Sequence, residues 1–203
     1  CTCGFAGRKR GEAGLLHLDI GTAKRLKKMK TFNLCIAALF AALTAVLTQL
    51  AIPIGPVPIT LGTFSVFLAG ALLGAELGAI SQAVYVLLGV VGVPVFSGFK
   101  GGFGVLIGPT GGYIAGYILA AWLVGYITKR HGNKIYILIL AMLAGYFAYT
   151  TAGTCWYMFS IKTGFIEALM VCVVPFILGD ALKIVLAATL AYQLRPILKN
   201  HLR

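Results

Sequence analysis

The chain has 203 residues, of which 60% are hydrophobic and only 11% are charged. Soluble globular domains carry about 25% charged residues, and a domain of this length exposes more surface than so few charges can cover. The composition therefore excludes a soluble enzyme and a disulfide scaffold, and it predicts a protein whose solvent is lipid. The net charge of +12 is unevenly distributed, because seven of the 17 basic residues lie in residues 1–28.

Residues 1–28 are polar, basic and rich in glycine. They lack the apolar core of about 7–15 residues that a secretory signal peptide needs. We expect a disordered basic leader here, either an extended start or a cloning remnant, and a membrane domain over residues 29–203. Cys1 and Cys3 have no His or Cys pair nearby, so we expect no metal site. Aromatic residues are not interleaved with the basic ones, so we expect no nucleic acid partner.

Residues 31–75 contain no charged side chain. A single span needs about 20 residues, so this run predicts two helices, separated by the prolines of segment 53–60. Further apolar runs predict an all-α integral membrane protein with six transmembrane helices. The predicted spans are Thr31–Ile52, Leu61–Leu73, Leu77–Val91, Gly111–Thr128, Ile135–Phe159 and Pro175–Leu194, with a polar break at Gly74–Glu76 and a short amphipathic segment at Phe165–Val174.

The distribution of basic residues predicts the orientation of these spans. With six spans, the basic clusters at 24–30, 129–134 and 195–203 all fall on one side, which we expect to be cytoplasmic together with both termini. We therefore expect a multi-pass protein of the cell (cytoplasmic) membrane. The segments 53–60 and 92–110 then share the outer side. Irregular backbone is not stable against lipid, so these two loops are expected to form the mouth of an outward-facing cavity.

Asp180 and Lys183 are the only charged residues inside the predicted spans. They stand three positions apart and share one helix face, near the outer end of the sixth span. A charge in the membrane costs several kcal/mol unless it faces a partner or a cavity. The pair is therefore either a structural ion pair or a ligand site. We favour the ligand site, because a carboxylate beside an ammonium suits a solute with both hydrogen-bond donors and an acid group.

Five further residues are candidate ligand contacts. Gln82 and Tyr85 stand three apart on the third span, although Gln also bonds neighbouring helices and Tyr also lies at interfaces. Lys100, in the outer glycine segment, is either simply solvated or folded over a pocket. Thr60 either caps the second helix or contacts the ligand. Trp156 either anchors the membrane interface or forms part of the pocket wall.

Small residues form a stripe on the first span at Ala37, Ala41 and Ala45. Such a stripe lets another helix approach closely. That helix belongs either to the same chain or to a separate membrane subunit, and the sequence leaves both possibilities open. The cysteines in apolar runs are expected to be small buried hydrophobes; these are Cys35, Cys155 and Cys172.

The sequence lacks the motifs of several enzyme classes. It contains no Gly-x-x-x-x-Gly-Lys-Ser/Thr phosphate loop, so the chain is not expected to hydrolyse ATP. It has no His/Cys cluster with metal-ligand spacing and no Ser/His/acid set, so we expect no catalytic residue and no enzyme activity. A small membrane-embedded enzyme that uses Asp180 as a base is the weaker alternative.

Four blocks of sequence point to one family. They are Pro-x-Pro-x-Thr at Pro56–Thr60, Ser-Gln-x-x-Tyr-x-Leu-Leu-Gly-x-x-Gly-x-Pro-Val-Phe at Ser81–Phe96, Gly-Pro-Thr-Gly-Gly-Tyr at Gly108–Tyr113 and Pro-Phe-x-x-Gly-Asp-x-x-Lys at Pro175–Lys183. With these blocks in this order, the chain from about Met29 onward resembles the biotin-specific substrate-binding subunits, the BioY proteins, of energy-coupling factor vitamin transporters.

The resemblance implies a six-helix fold around a biotin pocket that opens to the exterior. It also implies a transmembrane coupling subunit and two cytoplasmic ATPases as partners. Those ATPases use the ATP, so this chain itself needs no cofactor. In such systems the binding subunit topples in the membrane and carries its ligand inward, and the alanine stripe is then the seam for the coupling subunit. The family's polar positions map onto Asp180, Lys183, Gln82 and Tyr85.

The chemistry of biotin suggests roles for these residues. Asp180 suits the ureido N–H donors because charge-assisted hydrogen bonds are strong, and Lys183 and Lys100 suit the valerate carboxylate. The apolar ring is expected to lie among aromatic side chains, namely Tyr85, Phe96 and Trp156. Desthiobiotin and lipoate carry the same acid tail, so a binding subunit for one of these compounds is the alternative within the transport class.

Overall fold

The computed structural model describes residues 31–52, 58–173 and 176–199. Its elements follow in the order α1 (Thr31–Gln49), β1 (Ala51–Ile52), β2 (Ile59–Thr60), α2 (Gly62–Leu73), α3 (Ala75–Val91), α4 (Phe103–Ile107), α5 (Gly111–His131), α6 (Ile135–Ile161), α7 (Phe165–Cys172) and α8 (Ile177–Lys199). The expectations for the leader 1–28, the two termini, segment 53–57 and Pro175 lie outside the described residues.

Among the described helices, four are long and apolar enough to cross a membrane: Thr31–Gln49, Gly111–His131, Ile135–Ile161 and Ile177–Ile197. Helices α2 and α3 are apolar but shorter. Large hydrophobic side chains cover the outside of the bundle, and Leu178, for example, is 86% exposed. A continuous apolar surface of this kind is stable in lipid and not in water. The chain is therefore an all-helical, multi-pass membrane protein, apart from its two short strands.

Helix α5 lies at the centre of the bundle, where it contacts α2, α3, α4 and α6. Small residues permit these close approaches, because they let two backbones come together. A Cβ on Gly125 of α5 would lie 2.3 Å from the backbone nitrogen of Ala75, and one on Gly70 of α2 would lie 2.5 Å from the carbonyl oxygen of Ala121. Helix α8 packs against α2 and α6, which places its charged face against the centre of the molecule.

Helix α1 ends before its predicted boundary at Ile52. Ala51 and Ile52 instead pair with Thr60 and Ile59 in antiparallel register. A ladder of two residues has no hydrophobic periodicity, which is why the sequence did not reveal it. The break between α2 and α3 is also shorter than predicted. It consists of Gly74 alone, whose φ of +83° favours glycine.

Three helices extend beyond their predicted ends, namely α5 to His131, α6 to Ile161 and α8 to Lys199. Basic residues end the apolar pattern in α5 and α8, but they do not end the helix. Their positive charge is in fact favourable at a helix C-terminus, where the backbone carbonyls carry partial negative charge.

The glycine-rich segment after α3 is a hairpin followed by a short helix. Gly92 ends α3 with a φ of +110°. Phe96 and Lys100 then exchange two backbone hydrogen bonds, with N···O distances of 3.0 and 3.2 Å. Helix α4 follows before α5 begins. The segment therefore satisfies much of its own backbone and does not form a further span.

The prediction of three buried cysteines is wrong for two of them. Cys172 is buried, whereas Cys35 and Cys155 are exposed on the outside of α1 and α6. A thiol behaves as a small hydrophobe, and in a membrane protein such a group is as stable against lipid as in the core. An apolar run therefore does not decide which of its residues face inward.

Replacing Gly125 with Ala should destabilise the bundle, because the new methyl group would meet the backbone of Gly74 and Ala75 at 2.3 Å. Overpacking of this kind costs about 1–3 kcal/mol, so the melting temperature in detergent should fall by several degrees. Gly179→Ala in α8 is the matched control, because nothing lies within 4 Å of a methyl group added there. Equal melting temperatures for the two variants would contradict the close packing of α5.

Candidate functional site

Asp180 and Lys183 form a buried ion pair near the beginning of α8. Their side chains are joined by a 2.8 Å contact between Lys183 Nζ and Asp180 Oδ1, and the two residues are 7% and 2% exposed. Lys183 Nζ also donates to the carbonyl oxygen of Thr60 at 2.7 Å, and the Tyr149 hydroxyl donates to Asp180 Oδ2 at 3.4 Å. The pair is thus tied to β2 and α6, which offsets part of the cost of burying two charges.

The ion pair forms part of the wall of a cavity with two compartments. The inner chamber has a volume of about 40 Å³ and includes Asp180 and Lys183 in its lining. The outer chamber has a volume of about 100 Å³ and includes Tyr85, Phe96 and Lys100. The chambers adjoin, because they share four wall residues, which are Pro58, Thr60, Tyr113 and Tyr117. The structure therefore brings six of the eight predicted ligand contacts to one cavity.

Tyrosine side chains form much of the wall where the chambers meet. Tyr113 and Tyr117 lie one turn apart on α5, and their ring centroids are 6.0 and 6.1 Å from that of Tyr149. Tyr85 stacks on Tyr117 at 6.3 Å and contacts Phe96 edge-to-face at 5.7 Å. Sequence reasoning missed Tyr113, Tyr117 and Tyr149. The spacing of four between the first two was the available signal, because it puts both rings on one helix face.

The hairpin after α3 supplies the other side of the outer chamber. Phe96 is 1% exposed, and Gly89 of α3 makes room for its ring, because a Cβ at position 89 would lie 2.1 Å from Phe96 Cζ. Lys100 lines the chamber but is itself an exposed residue. The cavity therefore has a buried ion pair at its inner end, aromatic walls, and a cation at its exposed side.

Gln82 is not among the residues that line either chamber. It is fully buried where α1, α2 and α3 meet, and its Nε2 donates to Thr44 Oγ1 at 3.3 Å and to Ser81 Oγ at 3.4 Å. Thr44 Oγ1 in turn lies 2.9 Å from Ser65 Oγ, while Gln82 Oε1 has no hydrogen-bond partner in the described part of the chain. These contacts correspond to the alternative in which Gln82 bonds a neighbouring helix. A direct ligand contact stays a prediction.

Trp156 also lies outside the lining of the two chambers. It is 38% exposed, and its indole Nε1 donates to the carbonyl oxygen of Gly108 at 3.0 Å. It therefore holds the segment between α4 and α5 against α6. Its role as a wall of the ligand pocket stays a prediction.

The small-residue face of α1 is shifted by one position from the predicted stripe. Ala37 and Ala41 are each 1% exposed, so this chain covers them itself, and Ala45 is half-buried. Ala38 and Ala42, in contrast, are exposed. The surface that α1 leaves open to another helix therefore passes through Ala38 and Ala42. The spacing of four fits either register, which is why the sequence did not distinguish them.

The charged groups of the cavity suit an organic solute better than a metal ion. In the described ranges there is no group of three or more His, Cys, Asp or Glu residues that could hold a metal. The inner chamber combines one carboxylate with one ammonium, and the outer chamber adds a second ammonium and aromatic rings. A membrane-embedded helical bundle with such a cavity defines a solute-binding membrane protein.

The chain belongs to the BioY family, whose model matches residues 22–200. This match begins ahead of the domain boundary that the sequence suggested at Met29. The chain is similar to the biotin transporter BioY of Thermotoga maritima, with 40% identity over 163 residues that cover 79% of this chain and 94% of the relative. It is also similar to a probable biotin transporter BioY of Pyrococcus horikoshii, with 40% identity over 167 residues covering 82% and 98% of the two chains.

A solved structure supports the same assignment at the level of fold. The crystal structure of the S-component for biotin from an ECF-type ABC transporter matches with a TM-score of 0.80 and 28% identity, and covers 87% of this chain and 98% of that chain. The family resemblance inferred from the sequence blocks is confirmed. Family membership also confirms the expectation that the chain is not an enzyme.

Replacing Lys183 with Met should destabilise the protein more than replacing Asp180 with Asn. Breaking a buried ion pair by removing one partner costs about 3–5 kcal/mol, and in Lys183→Met the carboxylate would keep the Tyr149 hydroxyl at 3.4 Å. In Asp180→Asn, by contrast, the amide oxygen still accepts a hydrogen bond from Lys183.

Thermal unfolding in detergent, without added ligand, measures both effects. The double variant Asp180→Asn/Lys183→Met should recover part of the stability that Lys183→Met loses, because it no longer buries an unpaired charge. Additive losses in the double variant would contradict the coupling of the two side chains.

Proposed function

We propose that this chain captures biotin and delivers it across the cytoplasmic membrane as the substrate-binding subunit of an ATP-driven energy-coupling factor transporter. The observation that carries the proposal is the buried Asp180–Lys183 pair in the wall of a cavity that ends at Lys100. Membership of the BioY family and similarity to proteins named as biotin transporters support biotin as the solute.

The two ends of the cavity match the two ends of biotin. The ureido ring carries two N–H donors, and Asp180 at the inner end offers carboxylate oxygens as acceptors. Charge-assisted hydrogen bonds of this kind are shorter and stronger than neutral ones. Lys183 holds the Asp180 carboxylate through Oδ1, and its second bond, to Thr60, fixes the ammonium. Lys183 thereby orients the acceptor at the inner end, and in this arrangement the valerate carboxylate that the sequence suggested for both lysines falls to Lys100 alone.

The rest of the ligand suits the outer chamber. The sulfur-containing ring is apolar and packs against the aromatic wall of the outer chamber, where Tyr85 contacts both Tyr117 and Phe96. The valerate tail then points to the exposed side, where Lys100 neutralises its carboxylate. Gln82 helps to position α3, which carries the chamber residue Tyr85. Trp156 helps to position the segment before α5 through its bond to Gly108.

The positions of the charges support a six-helix topology with cytoplasmic termini. Helices α2 and α3, together with the four longer helices, make six spans. Lys129 and Arg130 lie at the end of α5, opposite to its cavity residues, and Arg195 of α8 donates to the Thr128 carbonyl oxygen at 2.6 Å. The basic ends of α5 and α8 thus meet on one side of the bundle. The positive-inside rule makes this side cytoplasmic and the cavity side external.

Membership of the BioY family and similarity to an S-component of an ECF-type ABC transporter support partner subunits for this chain, and the sequence carries no phosphate loop of its own. Transport against a gradient needs an energy source, and we assign ATP use to two cytoplasmic ATPase subunits that act through a transmembrane coupling subunit. The exposed Ala38 and Ala42 provide a small-residue face on α1 for that coupling subunit.

The first test is equilibrium binding of radiolabelled biotin to the detergent-purified protein. Asp180→Asn removes a charged acceptor and should weaken binding by at least about tenfold, because a hydrogen bond to a charged group contributes about 1.5–3 kcal/mol. Lys100→Gln should weaken biotin binding as well, whereas the matched control Lys162→Gln, which removes an exposed lysine at the end of α6, should leave it unchanged.

Competition with unlabelled compounds then tests the solute. Biotin should displace the label better than lipoate, because lipoate lacks the ureido donors that Asp180 accepts, and better than desthiobiotin, because desthiobiotin lacks the sulfur-containing ring that packs against the aromatic wall. A folded wild-type protein that binds no biotin would overturn the proposed function. Unchanged biotin affinity in Asp180→Asn would overturn the role of the ion pair.

The seam on α1 predicts a separation of binding from transport. Ala38→Trp and Ala42→Trp should reduce biotin uptake by cells that express the complete transporter. The large indole ring would keep a helix of the coupling subunit from approaching α1. Biotin binding to the purified chain should be unaffected. Ala115→Trp, at an exposed position on α5, is the matched control and should leave uptake intact. Normal uptake in both α1 variants would contradict this seam.

A further inference from the structure

The hairpin at residues 93–101, here called the lid loop, closes one side of the outer chamber. It contributes Phe96, Ser97 and Lys100 to the chamber lining. The base of the loop is attached to α3 by backbone hydrogen bonds, from the Val93 nitrogen to the Leu88 oxygen at 3.1 Å and from Gly102 to Gly89 at 2.7 Å. These bonds fix where the loop begins and ends, but not whether its tip lies over the chamber.

Side chains from two helices bond the loop: the Tyr85 hydroxyl of α3 donates to the carbonyl oxygen of Val95 at 3.3 Å, and Gln49 of α1 bonds the tip. Gln49 Nε2 donates to the carbonyl oxygens of Pro94 at 3.3 Å and Phe96 at 3.2 Å, and Gln49 Oε1 accepts from the backbone nitrogen of Phe99 at 3.0 Å. Both ends of the amide are therefore used, and the contacts span 45 to 50 positions of sequence. Gln49 itself lines neither chamber.

The contacted backbone does not hold this shape by itself. Phe99 has a φ of +57° and Gly98 a φ of +74°. A positive φ is unfavourable for a side chain such as that of Phe, and Phe99 is 73% exposed, so core packing does not stabilise it. The hydrogen bond from Phe99 to Gln49 and the Phe96–Lys100 pairing both lie at this turn and offset part of this cost.

Closure of the lid loop limits access to the site. Asp180 is 2% exposed, and the outer chamber has a volume of only about 100 Å³ with the loop in place. Because the lid loop supplies part of the wall of this small chamber, lifting the loop would widen the path of a solute to the inner end. Because the lid loop and α1 are joined through Gln49, lifting requires those hydrogen bonds to break.

We propose that Gln49 is the latch of the lid loop, a positioning residue that keeps Phe96 and Lys100 over the bound solute and so sets how long the solute stays. The identity of the solute as biotin rests on the proposed function. The latch also joins the lid loop to α1, the helix that exposes Ala38 and Ala42. A displacement of α1 against the bundle is therefore transmitted to the lid.

Two measurements on the full chain test the latch. The first is amide hydrogen exchange of the lid loop in the absence of biotin, compared between wild type, Gln49→Ala and Gln49→Glu. The second is the dissociation rate of radiolabelled biotin from the same three proteins. Gln193→Ala is the matched control. It makes the same substitution at an exposed position near the C-terminal end of α8, away from the cavity.

Gln49→Ala should speed exchange across residues 93–101, above all at Phe99, and leave exchange in α5 and α6 unchanged. Loss of several hydrogen bonds should raise the biotin dissociation rate by about tenfold. Gln49→Glu keeps an acceptor for Phe99 but faces two carbonyl oxygens without a donor, so it should also speed exchange and dissociation. Should Gln49→Ala fold poorly, this isosteric variant carries the test.

Lid-loop exchange equal to that of wild type in both Gln49 variants would overturn the latch. Faster exchange with an unchanged dissociation rate would overturn its control of solute residence. Failure of the wild-type protein to bind biotin would overturn the proposed function instead, while the exchange data, which need no ligand, would still decide whether Gln49 holds the loop.

Discussion

The free-energy cost of burying one ion pair inside a membrane protein determines much of this structure. Two charges in α8 are stable among apolar helices only if their hydrogen-bonding groups find partners. Asp180 and Lys183 pair with each other, and Thr60 and Tyr149 supply further bonds from β2 and α6. Strand β2 and the tyrosines of α5 and α6 lie around this pair. The hydrogen-bonding groups that stabilise these two charges can also bond a polar solute, if the solute replaces some of the present partners.

Helix α1 connects the site to the outside of the bundle. Its Thr44 takes part in the buried cluster with Gln82 and Ser65, its Thr48 lines the outer chamber, and its Gln49 bonds the lid loop. The opposite face of the same helix is exposed to lipid. One helix therefore joins the exposed Ala38 and Ala42 surface with the wall and the lid of the cavity. This arrangement gives a partner on α1 a direct mechanical route to the bound solute.

The helices and the ion pair were predictable because their signals are local. Long uncharged runs define the spans. Two charges three positions apart within such a run are costly in a membrane, so they indicate an ion pair or a ligand site. The tyrosine walls were not predicted, because Tyr113, Tyr117 and Tyr149 meet only through the packing of α5 on α6. Gln49 was missed for the same reason, since its partners lie 45 or more positions away. The sequence left open whether Ala37 and Ala41 face this chain or a partner, because Ala38 and Ala42 have the same spacing on the neighbouring face of α1.

Gln82 illustrates a further limit of sequence reasoning in membranes. A polar residue in a span needs a partner, but the partner is either a solute or another helix, and the residue type does not distinguish them. Thr44 of α1 supplies the helix partner in this chain. Asp180 differs because its helix positions it at the wall of a cavity. Burial next to free volume, and not polarity alone, therefore distinguishes a candidate ligand contact from a residue that packs helices together.

The most direct measurement is a crystal or cryo-electron microscopy structure of the protein with biotin bound. Our account predicts that the ureido nitrogens lie within about 3 Å of the Asp180 carboxylate, with the valerate carboxylate next to Lys100 and the lid loop closed over the ring. Biotin bound at another place, with the Asp180–Lys183 contact unchanged and both chambers empty, would contradict the claim that this pair is the centre of the capture site.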